Sequence, residues 1–446
     1  MGAMLIFFFI RDELLKVFRS HYLPDLSLTW QITSLFIVFA IITGLVAGAL
    51  PAFYFSRLNP IQAIKGTAGK KFVSGVRLRK GLTIFQFILS FGFIVSLIVY
   101  VRQYQYSINY DFGFQRENIL DVKLQGVDPA LFKSEFSKLA SVHSISTSSD
   151  ILGMNFTGQE KWIKESNPSD SLLVRQIFID REYLDVFQLQ LLAGKNFSDG
   201  VWRHETEIIV NEQFLKHLKV SSAGEAIDKV FLVDSLELKI VGVLKDFHFR
   251  SLRTAISPLI FRMNPGQANY AYLKVSFTDA YSSINEMEKV WNKLNNRNKF
   301  DSRFFDDELN DSYGFYLTML KIIAFLGVFA ISISLLGMLG MVVYSSETRA
   351  KEVGIRKVFG ASVAGIIFLL SKDYLKLMGW AFLISVPLSV LIIDRILSST
   401  QYYSVQLTVW DILAGMITLI MLGLLTLSSQ TFKTASTNPA ETLKNE

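Results

Sequence analysis

Long apolar runs dominate the chain, separated by short basic links and by one long mixed segment. Five runs, at 30–55, 81–101, 322–346, 374–393 and 412–431, reach the about 20 helical residues that cross a hydrocarbon core of roughly 30 Å. Four of them contain no Asp, Glu, Lys or Arg. The run 374–393 holds only Lys376, one turn from its end, where a long side chain reaches the headgroups. Helices in water keep a polar face and these keep almost none, so they read as membrane spans rather than as buried helices of a soluble core.

Between the second and third runs the period changes. Residues 119–124 alternate as a half-buried strand does, and 128–139 read as an amphipathic helix capped by Asp128. Strands follow at 172–179, 207–210, 230–233, 238–244 and 270–275, with helices at 211–218 and 280–294. The fold class expected is therefore an α-helical membrane protein. It has about five transmembrane helices and one large mixed α/β extracytoplasmic domain, 102–321. At roughly 220 residues that domain can bury its own core, and the chain has no cysteine to staple it.

Charge sets the orientation. The link 56–80 carries Arg57, Lys65, Lys70, Lys71, Arg77, Arg79 and Lys80 and no acid. The link 347–373 carries Arg349, Lys351, Arg356, Lys357 and Lys372 against Glu347, Glu352 and Asp373. Basic links stay in the cytoplasm, which places the tail 432–446 inside as well, and 102–321 and the short loop 394–411 outside. The expected location is the cytoplasmic (inner) membrane. With 50% hydrophobic and 19% charged residues, the net charge of +6 is met by topogenic charge and by anionic membrane lipid, with no nucleic acid required.

Catalytic chemistry finds no foothold. The five histidines, His21, His143, His204, His217 and His248, are scattered with no metal-ligand spacing. Asp246-Phe247-His248 reads as a surface turn after a strand. Gly66-Thr67-Ala68-Gly69-Lys70-Lys71 has too few residues between its glycines for a Walker loop and lacks the Ser/Thr that holds magnesium. The reading names no catalytic, cofactor or metal residue.

A short internal echo closes the pattern: Asn59-Pro60 with Lys65 after the first run, and Asn438-Pro439 with Lys444 after the last. Together with other motifs it carries a resemblance. Those motifs are Pro51-Ala52-Phe53-Tyr54, Leu78-Arg79-Lys80-Gly81-Leu82 and Phe85-Gln86-Phe87. Asp111-Phe112-Gly113-Phe114, Leu192 to Phe197, Val210-Asn211-Glu212 and Val241 to Phe249 belong with them, and above all the run Arg349 to Ser362. Together they resemble the MacB/FtsX-like permeases of ABC transporters in the duplicated form common in Bacteroidota. The resemblance implies that this chain corresponds to the second half plus the last span of a first half. Residues 1–29 then read as the remnant of an upstream helix and loop, with roughly 300 residues of the duplicated form before them.

The resemblance also implies a partner, a separate ATPase that dimerises on ATP and magnesium, none of which this chain binds itself. The predicted coupling residues are Arg349, Lys351, Glu352, Gly354, Ile355, Arg356, Lys357, Val358 and Gly360 in the loop 347–373, with Val353 and Phe359 also available for a groove. A periplasmic adaptor or outer-membrane protein is a further expected partner of such permeases. Uncharged spans disfavour proton- or sodium-driven transport. The function implied is efflux or extraction of an amphiphilic substrate, such as an antimicrobial peptide, a macrolide-like drug or a lipoprotein. The alternative is an FtsX-like transducer that regulates an envelope enzyme, and a third reading is a membrane-anchored enzyme. Within the span 374–393, Pro387 removes a backbone donor and is expected to permit a bend.

Overall fold

A computed structural model describes residues 29–56, 73–154, 157–165, 171–198, 205–218, 220, 222–276, 280–348 and 350–436. The chain divides into two units. One comprises residues up to Gln103, Phe315–Ile396 and from Val405 onward; the other comprises Tyr104–Gly314 with Leu397–Ser404.

The first unit is helical. Its members are α1 (Trp30–Ser56), α2 (Val73–Ile108, as far as Gln103), and the four helices that follow the second unit's main segment in the chain. Among the described residues, four stretches are long and apolar enough to cross a membrane: Arg79–Ile108, Gly314–Ser345, Ser371–Thr400 and Val409–Ser428. The first predicted run is also helical, and Thr33–Leu45 is its described apolar stretch. No hydrophobic driving force separates lipid tails from apolar side chains, so such helices associate by close packing over small residues. Gly415 meets that requirement. A Cβ there would lie 2.7 Å from Val95 Cγ2, so the two backbones approach only because the side chain is absent. Phe91 packs edge-on against Phe382 at 5.4 Å. Pro387 lies inside a helix that runs from Val363 to Thr400.

The second unit holds β1 (Ile119–Lys123), α3 (Pro129–Phe136), β2 (Val142–Ser148), β3 (Gln159–Glu165), β4 (Ser171–Ile179), α4 (Tyr183–Val186), β5 (Leu191–Gly194), β6 (Glu207–Asn211) and α5 (Glu212–Leu218). It continues with β7 (Val230–Val233), β8 (Leu236–Leu244), β9 (Leu259–Met263), β10 (Tyr270–Val275), α6 (Ala280–Leu294), β11 (Ser302–Phe304) and α7 (Phe305–Ser312). Four strands, ordered β11-β1-β10-β2 and all antiparallel, combine with α3 and α6 into a split β-α-β layer. Its core lies between sheet and helices. Phe132 and Phe136 stack at 4.0 Å beside Met287 and Trp291, opposite Leu120 and Val122. Asp128 caps α3, its Oδ1 accepting from Leu131 N at 2.9 Å, with Pro129 at the first helical position.

Everything between β2 and β10 is an insertion into that layer. Strands β4-β3-β7-β8-β6-β9 pair in sequence and β9 pairs back to β4, so they close on themselves around Ile163, Val174, Phe214, Phe231, Leu238 and Ile240. β5 adds to β8. Closure removes most of the exposed edges that an inserted sheet would otherwise present.

Two motifs from the sequence meet here. His248 N donates to Phe112 O at 2.8 Å, and Gly113, at φ +83°, leaves room for Phe247 Cβ only because it has none of its own. His248 is buried; its Nε2 lies 3.2 Å from Tyr110 Oη, and its ring stands edge-on to Tyr403 at 4.5 Å. Burial lowers the imidazole to about 4, so it is neutral in the folded unit. Asp246–His248 is therefore no surface turn. Asp246 receives Gln213 N at 3.0 Å at the start of α5, and Phe247 and His248 join the interior because the aromatic run Phe112–Phe114 covers them.

Asp121 is 2% exposed, on the sheet face opposite Leu120 and Val122, and it meets Glu308 of α7. Burial first, then the hydrogen bond and charge of Glu308, push Asp121 up to about 9. At neutral pH it keeps its proton and donates to Glu308. The folded unit thus holds a proton that the unfolded chain releases above 3.8, and stability falls as pH rises from that value toward about 9. Asp121→Asn keeps a donor with no proton to lose. In thermal unfolding of the whole protein in detergent, the variant should resemble wild type at pH 4.5. At pH 8.5 it should unfold roughly 5 °C higher. An unchanged pH slope would mean that the two carboxyl groups share no proton.

Candidate partner-docking helix and the polar clamp of the bundle

After α8 (Gly314–Thr348) the chain forms a short helix, α9 (Ala350–Val358), and then α10 (Val363–Thr400). The local sequence explains both ends of the junction. Ala361 N donates to Arg356 O at 3.0 Å and Gly360 takes φ +85°, so α9 closes with a left-handed residue that only glycine adopts at no cost. Ser362 then opens α10, its Oγ accepting from Gly365 N at 3.2 Å and its carbonyl from Ile366 N. Val353 is 5% exposed and packs with Ile366, with Ala361 against them, which pins α9 to the start of α10.

That packing decides which predicted residues are available to a partner. Val353 is not, because it fills the junction. Ile355, Val358 and Phe359 remain in solvent, Phe359 at 86% and Val358 at 65%. Arg356 and Glu352 pair at 2.8 Å across one turn, and both stay exposed. The pair orders the helix surface and contributes at most a few tenths of a kcal/mol. Gly354 lies within α9 and Gly360 just beyond it. Arg349 and the side chains of Lys351 and Lys357 lie outside the described residues, as do residues 1–28, the part 57–72 of the predicted link 56–80, and the second Asn-Pro echo. The arrangement is a short helix packed on the start of α10, with an exposed apolar knob.

Sequence reading missed a second feature of the bundle. Arg102 and Asp411 fall one residue beyond the predicted runs 81–101 and 412–431, and carry no predicted role. In the structure they form a salt bridge, with Asp411 buried. Asp411 is also the third residue of α11 (Val409–Ser436), and Thr408 caps that helix. Thr408 N donates to Asp411 Oδ2 at 2.8 Å, while Asp411 N turns back to Thr408 Oγ1 at 3.4 Å. Next to them, Val405 N donates to Gln103 Oε1 at 2.8 Å, and Gln103 is fully buried. The signal was readable: a Thr-x-x-Asp box at the head of an apolar run, with a lone Arg at the end of another.

Comparison with solved structures gives several likenesses. The periplasmic region of MacB from Actinobacillus actinomycetemcomitans is 12% identical, over 45% of this chain and 95% of that one, at a TM-score of 0.35. The extracellular domain of the noncanonic ABC-type transporter YknZ from Gram-positive bacteria is also 12% identical, over 42% of this chain and 98% of that one, at 0.31. No curated protein matches the chain. Residues 324–439, which contain α9, its glycine-capped junction and both helices that flank it from residue 324 on, match the FtsX-like permease C-terminal family.

Proposed function

We propose that this chain is the membrane permease of an ABC transporter, that α9 docks on a separate dimeric ATPase, and that motion made there is passed to the unit at 104–314. The observation that carries the reading is the exposed Ile355–Val358–Phe359 knob on a helix held rigidly between two long apolar helices, within the region that matches the permease family. An apolar knob of this kind has no use in the monomer, where each of its side chains stands in water. It is what a grooved partner would cover. The basic link that contains it favours the cytoplasm, where ATP is made.

The substrate proposed is amphiphilic. Trp162 of β3 lies directly opposite Leu173 of β4 on the outer face of the closed sheet, and Leu232 of the neighbouring β7 is also exposed there. Charged neighbours border this strip, with Glu160 paired to Arg175 one rung away. A surface of that composition suits a peptide, drug or lipoprotein with both apolar and charged parts. Catalysis, ATP and magnesium belong to the partner.

Co-purification with candidate ATPases in detergent tests the docking. Wild type should retain one of them, and Ile355→Ser with Phe359→Ser should weaken retention by on the order of tenfold or more, since two exposed apolar anchors leave the groove. The double variant should unfold at the wild-type temperature, because neither side chain packs inside the protein. Retention unchanged by it would remove α9 as the docking element. Gly360 gives a second reading of the same junction. Gly360→Val places a β-branched residue at positive φ and should loosen both the helix end and the ATPase, whereas Gly360→Asn, which tolerates that conformation, should keep most of the binding. Equal loss by both variants would mean that the left-handed cap is not what presents the knob.

A further inference from the structure

One end of the helical unit carries a pair of adjoining clefts. The first, about 170 Å³, is lined by Arg79 and Lys80 of α2, by Met341, Tyr344, Ser345 and Thr348 of α8, and by Asp373, Tyr374 and Leu377 of α10. The second, about 440 Å³, is lined by Lys80, Gly81 and Ile84 of α2 and by Asp373, Lys376, Leu377 and Trp380 of α10. Lys80, Asp373 and Leu377 line both, so the two form one continuous recess.

Cationic and apolar groups share its lining. Arg79 lines the first cleft, its guanidinium 5.3 Å from the centre of the Tyr344 ring, Lys376 lines the second, and Lys80 lines both. Ile84 and the exposed indole of Trp380 line the second cleft beside Lys376, and Leu377 lines both. Neither Lys80 nor Lys376 is in an ion pair among the described residues, and Asp373 has an interaction of its own. The recess therefore has a surplus of positive charge beside an apolar wall. The membrane-crossing stretch of α2 begins at Arg79, which puts these groups at the boundary of the apolar spans. Trp and Tyr favour that depth.

We infer that the recess between Arg79, Lys80, Lys376 and Trp380 is a binding site for one anionic phospholipid, its phosphate held by the two lysines and an acyl chain lying along Ile84, Leu377 and Trp380. Topogenic charge alone explains lysines near a membrane. It does not explain two unpaired ones converging from different helices on one recess with an apolar wall and an aromatic lip. A free phosphate would use the cationic groups and ignore that wall. A lipid uses both, and it would lock α2 to α10 at the end of the bundle opposite the Arg102–Asp411 clamp.

The test is native mass spectrometry of the full chain released from bilayers of phosphatidylcholine with graded phosphatidylglycerol. Wild type should retain one phosphatidylglycerol, and Lys80→Gln with Lys376→Gln should weaken retention by on the order of tenfold, with phosphatidylcholine adducts unchanged. Lys351→Gln with Lys357→Gln removes the same charge from α9 and should leave retention as in wild type. Millimolar inorganic phosphate should not displace the lipid. Equal losses in both double variants would reduce the effect to general surface charge, and displacement by inorganic phosphate would make the recess a soluble-anion site; either overturns the proposal. Far-ultraviolet circular dichroism checks that the variants keep their helices. A misfolded first pair would be replaced by Trp380→Ala, for which unaltered retention likewise counts against the site.

Discussion

In hydrocarbon every backbone polar group must be satisfied within its own helix, and that constraint shapes this protein from one end to the other. It forces the chain into long helices whose middles carry no charge, so that interhelical packing falls to glycine gaps such as Gly415 on Val95 and to aromatic contacts such as Phe91 on Phe382. Among the described residues, the polar groups traced above lie at the ends. At one end Arg102, Gln103, Thr408 and Asp411 tie α2 to α11; at the other, the cationic recess joins α2, α8 and α10. Among the described residues, no ionisable side chain lies in the middle of these helices.

The second unit meets a different constraint. A split β-α-β layer accepts a long insertion between β2 and β10 without loss of its own core, because Phe132, Phe136 and Trp291 are covered by α3, α6 and the four strands alone. The insertion closes its sheet and builds a separate core around Phe231 and Ile240. Between the two lies an aromatic seam, in which Tyr183, Phe187, Tyr272 and Phe305 touch one another. Asp121 and Glu308 sit beside that seam, on β1 and on the helix that immediately precedes α8 in the chain.

Much of this was legible in the sequence where one physical signal dominated. The apolar runs became helices, and strands such as 270–275 were found at their observed limits because hydrophobic residues fill them. Other strands were hidden by polar residues that tertiary structure satisfies. In β2, Ser146, Thr147 and Ser148 are buried, and Thr147 Oγ1 bonds to Asp180 at 2.7 Å, so a core strand reads as a loop. In β9, Arg262 looks like a surface charge, yet it is buried between Glu205 and Asp234, at 2.8 and 2.7 Å. His248 was misread for the same reason: its cover comes from residues far away in the chain. At the docking helix, residue types and the glycine stop were visible, but not which apolar side chain turns inward. Val353 and Phe359 are alike in hydrophobic character, and only the packing of Ile366 separates them.

The proposed function requires α9 and residues 104–314 to lie on opposite sides of one membrane. The chain contains no cysteine, so single cysteines can be placed at will. The decisive measurement is labelling of Trp162→Cys and Phe359→Cys, both at exposed positions, with a membrane-impermeant maleimide in sealed cells and in inverted vesicles. The account predicts that Trp162→Cys reacts in cells and Phe359→Cys only in inverted vesicles. Labelling of both from the same side would contradict it, and would leave α9 unable to relay motion across a membrane.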